Sequence, residues 1–137
     1  MNDYNARIIE EFRANAGKVG GTWEGRPLLL LTTKGRKSGR KHTTPMVYAR
    51  DGERLLVFAS KGGAPQHPDW YLNLAADPHV VVEVDGERFD ATASSLEGDE
   101  RDRAFAAQVE RMPQFGEYEE KTKGQRTIPV VALARRA

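Results

Sequence analysis

The densest group of chemistry-bearing residues lies at 32–40, TTKGRKSGR. It holds Lys34, Arg36, Lys37 and Arg40, the hydroxyls of Thr32, Thr33 and Ser38, and two glycines, Gly35 and Gly39. Glycines let successive backbone N–H groups point into one concavity, which suits an anion. Arginine adds a fork that matches phosphate or carboxylate oxygens, and lysine adds a point charge. By spacing alone, the same residues also describe a solvated basic hairpin turn or a nucleic-acid patch. Base stacking would need aromatics among the cations, and none stand there. A second segment, 59–65, ASKGGAP, again joins a serine, a lysine and two glycines. A flat ring could lie on such a backbone with its polar edge on N–H groups; an ordinary loop before a helix has the same composition. In 67–73, HPDWYLN, Trp70 and Tyr71 read as core residues of a helix and Asn73 as a cap or bridge. Phe115 and Tyr118 follow Pro113, and either shape a pocket or fold back onto the preceding helix.

Other kinds of site are missing. There is no nucleophile elbow, no HExxH and no Walker loop. Asp69, the acid nearest the second glycine segment, reads as a first-turn helix charge. The chain has no cysteine, and its three histidines, His42, His67 and His79, lie far apart, so no disulfide or zinc-type spacing exists. Anion-binding turns without acid–base machinery point to a bound cofactor that carries the chemistry.

The elements that must position these residues follow from pattern. Asp3 can cap a helix through about Asn15, with Ile8, Ile9 and Phe12 on one face and Gly17 ending it. Residues 17–21 form a joint, and 27–33 a leucine-rich strand buried on both faces. Residues 41–50 form a second strand, an edge or a bulge at Pro45. Asp51-Gly52 turns into a strand over 54–60. After the loop 61–66, Pro68 opens a helix to about Ala76. Strands at 79–84 and 87–95 flank the turn Asp85-Gly86, and Phe89, Ala91 and Ala93 alternate with polar residues. A helix over 98–112 carries Phe105, Val109 and Met112 on one side. Residues 113–126 read as irregular or weakly helical, and 127–134 as the last strand. Hairpins dominate and no βαβ rhythm exists, which predicts a mainly β fold: a small antiparallel barrel with peripheral helices.

Bulk properties agree. The 137 residues fit one domain, 1–137, with 1–20 as its N-terminal helix and joint. The net charge is +1 with 30% charged residues, which implies a mixed-charge surface and no field that would gather nucleic acid. Residues 1–12 lack a signal-peptide pattern, and the apolar run 28–31 is too short to span a bilayer. The expectation is a cytoplasmic protein without stable membrane insertion.

Together, TTKGRKSGR, Pro45, FASKGGAP, PDWYLNLAADP and RTIPVVAL resemble the deazaflavin-dependent nitroreductases, actinobacterial split-barrel, FMN-binding-like reductases that use reduced coenzyme F420. F420 is an 8-hydroxy-5-deazaflavin with a phosphate and a polyglutamate tail. The resemblance runs from about Pro27 to Leu133. It implies that Lys34, Arg36, Lys37, Ser38 and Gly39 grip the phosphate and acidic tail, with His42 where relatives carry a second tail-binding arginine. It places Pro45, Phe58, Ala59, Ser60, Lys61 and Gly62 beside the ring, and makes Trp70, Tyr71 and Asn73 the brace of the cofactor pocket. Phe115 and Tyr118 fall at substrate-facing positions, and Ser60 and Tyr118 become the candidates for polarising the acceptor. Lys121 stands where some relatives carry an aromatic or a hydroxyl. The implied activity is hydride transfer from F420H2 to a quinone, a nitroaromatic, or an enone or unsaturated lactone, by a monomer or homodimer. An FMN or haem binder on the same barrel is the alternative.

Overall fold

The computed structural model describes residues 3–15, 17–21 and 24–136. Among these, β1 Leu28–Lys34, β2 Lys41–Asp51, β3 Arg54–Phe58, β4 His79–Val84, β5 Glu87–Ser95 and β6 Val130–Arg135 close into an antiparallel barrel. Its strand order is β1-β2-β3-β6-β5-β4. Helices α1 Asp3–Ala14, α2 Asp69–Ala76, α3 Gly98–Arg111 and α4 Gln114–Thr122 lie around it. None of the described helices is long and apolar enough to cross a membrane.

Strand alternation sorts the leucine run into two cores. Leu29 and Leu31 point into the barrel, where they meet Tyr48, Val57, Val82, Ala91, Val131 and Leu133. Leu28 and Leu30, of opposite parity, pack on Ile8, Ile9 and Phe12 of α1. Each fully buried leucine contributes about 1.5–3 kcal/mol of transfer free energy, so the run holds the barrel and docks the helix at once. A third cluster joins Ala49, Leu56, Phe58, Val130 and Ala132, on the outer side of β2, β3 and β6, to Phe105 of α3 and Phe115 of α4. Gly17 ends α1 as predicted: its φ is +93° and its N–H donates to the Phe12 carbonyl. The capping group expected on Asp3 lies outside the described side chains.

Three expectations are resolved or corrected. Of the alternatives at Pro45, the bulge falls and the edge holds locally: Pro45 pairs in register with Leu30 on one side, and β3, which pairs only from Tyr48 onward, leaves its other side open. Tyr48 N–H donates to the Pro27 carbonyl. Bonded pairs alternate from there, so Pro45–Leu30 is a pair without ladder bonds, and the missing N–H faces the side that β3 does not reach. Of the two readings of residues 113–126, the helical one holds for most of the segment: Gln114–Thr122 form α4, with Phe115 and Thr122 buried, and 123–126 are turn and coil. The last strand begins at Val130 rather than Thr127.

Register puts one set of strand ends together. Lys34 pairs with Lys41, Thr32 with Val81 and Phe58 with Val130. The end of β1, the starts of β2 and β4, the end of β3 and the start of β6 therefore share one rim. Both glycine-bearing corners, 35–40 and 59–65, sit on that rim, and α2 follows the second corner back onto β1.

Candidate functional site: one rim of the barrel

The first corner is a closed turn. Gly35 N–H donates to the Arg40 carbonyl (2.7 Å), Gly39 N–H to the Gly35 carbonyl (2.9 Å) and Arg40 N–H to Ser38 Oγ (3.1 Å). Gly39 supplies a φ of +75°. Gly35 is required for space: a Cβ there would lie 2.7 Å from Ser38 Oγ, 3.0 Å from His42 Nε2 and 3.1 Å from the Arg40 carbonyl. The N–H groups of Lys37 and Ser38 find no acceptor among the described residues. Lys34, Lys37, Arg40 and Lys41 form no ion pair there. Four exposed cations, two on the turn and two on the strand ends that flank it, thus gather at one corner with two open N–H groups.

Asn73 fixes that turn to the barrel. It is 4% exposed. Its Oδ1 accepts from the Arg36 backbone N–H (3.2 Å) and from Arg36 Nη1 (2.9 Å), while its Nδ2 donates to Thr33 Oγ1 (3.2 Å). Arginine can only donate, so the amide has one self-consistent orientation. Asp69 adds a longer contact to Arg36 Nη2 (3.4 Å) and is mostly exposed. The reading of Asn73 as a bridge holds, and Asp69 serves the turn as well as the helix start. Between the turn and α2 lies a groove of about 440 Å³ lined by Arg36, Lys37, Ser38, His42, Trp70 and Asn73, among others.

The second corner has a different backbone. Ser60 is right-handed, and then Lys61, Gly62 and Gly63 take φ values of +48°, +62° and +84°. A lysine in the left-handed region is strained by about 1–2 kcal/mol and persists where its surroundings hold it. Ser60 N–H is occupied by the Phe58 carbonyl (2.9 Å), but the N–H groups of Lys61 and Gly62 have no acceptor among the described residues. Ser60 is 8% exposed and its hydroxyl makes no hydrogen bond there. No described buried side-chain polar atom lacks a partner, so the exposed part of Ser60 includes that hydroxyl. On the inner side stands a residue that the sequence did not single out. Arg126 donates to the carbonyls of Ala64 (3.0 Å), Ala59 (3.0 Å) and Ser60 (2.8 Å), and to His67 Nδ1 (3.1 Å).

Burial lowers the Arg126 pKa. Burial first, and the Arg126 charge second, lower that of His67 below its ordinary 6.5. The folded chain then holds fewer protons on His67 than the unfolded chain just below pH 6.5. Its contribution to stability is complete above that pH and is lost as pH falls through it and then through the folded value. Melts between about pH 7.5 and about pH 5 should show the wild type losing stability relative to His67→Asn, whose amide oxygen can accept from Arg126 throughout. Parallel curves would remove His67 as the cause.

The remaining predicted residues divide. Phe58 and Phe115 are core: their rings meet edge-on at 5.6 Å, and Phe115 meets Tyr118 at 5.2 Å. Of the two alternatives for Phe115 and Tyr118, folding back describes Phe115, while Tyr118 is half-buried and its hydroxyl has no partner among the described residues. Tyr71 is half-buried, its ring 5.0 Å from that of His67. Pro45 is buried within β2, and Ala59 is fully buried.

A closed antiparallel barrel with a cation-rich glycine turn and an open-amide corner on one rim is a split-barrel protein. Residues 6–135 match the model of the F420H(2)-dependent quinone reductase family, and the chain belongs to that family. It is accordingly an oxidoreductase dependent on coenzyme F420. It is 40% identical over 129 residues to an F420H(2)-dependent quinone reductase of Mycobacterium tuberculosis, covering 91% of this chain and 85% of the relative. Among solved structures it is similar to an F420-H2 dependent reductase at 41% identity, with a TM-score of 0.70 over 79% of this chain and 94% of the other. A chain described as a domain-swapped dimer is 36% identical, with a TM-score of 0.73 over 96% and 97%. The rim fits such a cofactor: unpaired cations and open amides stand at one corner, and further open amides beside a free hydroxyl at the other.

Proposed function

We propose that the protein reduces a quinone with hydride from F420H2, the phosphate and acidic tail held by the first corner and the ring laid against the second. The observation that carries this reading is the pair of corners on one rim, each with two adjacent N–H groups lacking an acceptor among the described residues. In this reading Arg36, Lys37, Ser38, Gly39, His42 and Lys34 hold the anionic end. Ser60, Lys61 and Gly62 meet the ring's polar edge, over a floor formed by Pro45, Phe58 and Ala59. Trp70, Tyr71 and Asn73 brace the wall between them.

The bound reduced deazaflavin supplies the hydride. The chain supplies alignment and donors for the acceptor oxygen on which negative charge develops. Those donors are Ser60 Oγ, the N–H groups of Lys61 and Gly62, and Tyr118 Oη, the last held in place by Phe115. Tyr118 Oη can also carry the proton that completes the hydroquinone. Nitroaromatics and enones or unsaturated lactones present the same kind of oxygen and form the wider acceptor set.

The test follows reoxidation of F420H2 by absorbance across a panel of quinones, nitro compounds and enones. Quinones should turn over. Tyr118→Phe should slow them about tenfold, because the other donors remain, with F420 affinity unchanged. A wild type that binds F420 and leaves every acceptor unreduced would end the reading. A Tyr118→Phe variant as fast as wild type would remove the phenol from the reaction.

A further inference from the structure

The Arg126 guanidinium lies 59 or more positions in sequence from the groups it bonds, and the segment RTIPVVAL that it opens gave it no role of its own. This guanidinium nevertheless gathers the carbonyls of Ala59, Ser60 and Ala64 and the imidazole of His67 within 3.1 Å. In a trans peptide the C=O and N–H point in opposite directions. Turning the Ser60 carbonyl onto Arg126 therefore turns the Lys61 N–H away from it, toward the open side of the corner. A right-handed residue followed by left-handed ones brings successive N–H groups into one concavity, and Ser60, Lys61 and Gly62 have that sequence of conformations. Left-handed Lys61 is the strained member, and the carbonyls held by Arg126 lie on both sides of it.

We propose that Arg126 is a positioning residue for the ring end of the cofactor site: it touches neither ring nor acceptor, and it fixes the backbone whose N–H groups do. The proposal rests on the reading of residues 59–65 as the ring end. A lysine cannot replace it, because one ammonium lacks the planar fork that serves three carbonyls and an imidazole together. Neutral His67 completes the arrangement by accepting at Nδ1.

The experiment compares wild type, Arg126→Gln, Arg126→Lys and Lys37→Ala. Each is titrated with F420 and with the tail-less deazaflavin, which keeps the ring and ribityl chain and lacks phosphate and glutamates. Amide exchange is followed in the unliganded proteins. Arg126→Gln should weaken both compounds by the same factor of about ten, the loss of about one charge-assisted contact. Arg126→Lys should restore little of it, and Lys37→Ala should weaken F420 alone. Exchange at 61–63 should quicken in the Arg126 variants while β1 and β6 keep their protection, a pattern that general destabilisation would not give. If Arg126→Gln does not fold, Arg126→Lys carries the same comparison. A folded variant that binds the tail-less ring like wild type and keeps slow exchange at 61–63 overturns the proposal. A wild type that does not bind F420 or the tail-less ring overturns the reading beneath it, and the proposal with it.

Discussion

Gly63→Ala is expected to cut F420H2-dependent quinone reduction about a hundredfold, the scale of a misplacement of about 1 Å at a reacting centre. The F420 dissociation constant should rise by no more than about tenfold, the effect expected when the ring-end corner is disturbed and the anionic end is not. Two costs combine at this residue. Its φ of +84° is one that alanine resists by about 1–2 kcal/mol. A Cβ would also stand 2.8 Å from Lys121 Cδ, 3.0 Å from Lys121 Cβ and 3.3 Å from Tyr118 Cα. The Lys121 stem can swing aside at Cδ, but Lys121 Cβ and Tyr118 Cα belong to the body of α4, so the helix must move or the corner must. Either shift separates the Tyr118 hydroxyl from the open N–H groups of Lys61 and Gly62. Gly62→Ala provides the control: φ there is +62°, and its Cβ meets nothing within 4 Å. The difference between the two variants isolates the contact with α4 from the cost of the backbone conformation. Equal turnover in both, with equal melting temperatures, would show that the seat of α4 on the second corner has no part in the reaction.

That helix also marks where the sequence stopped being legible. Strands with alternating burial and tight turns were readable almost to the residue, because the period-two pattern and the Asp-Gly pairs are local signals: β5 spans Glu87–Ser95 as expected, and Asp85 and Gly86 take φ values of +51° and +78° between the strands. In 114–122, by contrast, Gly116 reads as a helix breaker worth about 1 kcal/mol against alanine. Its use is tertiary: a Cβ there would come within 3.3 Å of Val109 Cγ1, so the glycine lets α4 lie close to α3, and Phe115 then packs on Phe58. Pro45 was legible in kind. Proline in a strand suggests an edge, and the unequal lengths of β2 and β3 supply one locally, leaving its missing N–H on an unpaired side within a closed barrel. At the site, the cations and glycines were visible because their residue types carry the chemistry. Arg126 was not, because its partners are main-chain carbonyls 62 to 67 positions away, and a carbonyl leaves no mark in a sequence. Asn73 lay between these cases, an amide on a helix whose bridging role was foreseen and whose partners were not.

Asn73 therefore supports a second large prediction, at the other corner. Asn73→Ala removes the acceptor of the Arg36 backbone N–H and of Arg36 Nη1, and the donor to Thr33 Oγ1, at a position 4% exposed. Leaving such groups without partners should lower stability by about 2–4 kcal/mol. The functional consequence is separate and more specific. With Asn73 gone, the turn 35–40 is left with one tie to α2 among the described residues, the 3.4 Å contact of Arg36 to exposed Asp69. The cations that meet the phosphate and tail must then be ordered at the moment of binding, a cost that the folded turn has already met in the wild type. The F420 dissociation constant should rise about thirtyfold, equivalent to about 2 kcal/mol. Affinity for the tail-less deazaflavin should hardly change, because residues 59–65 keep their hold on Arg126. Titrating both compounds at a temperature where the variant remains folded separates the outcomes. A selective loss for F420 places the effect on the pinned arginine and its turn. An equal loss for both would mean that Asn73 supports the whole rim through α2, and unchanged affinity for both would reduce it to a residue of the fold alone.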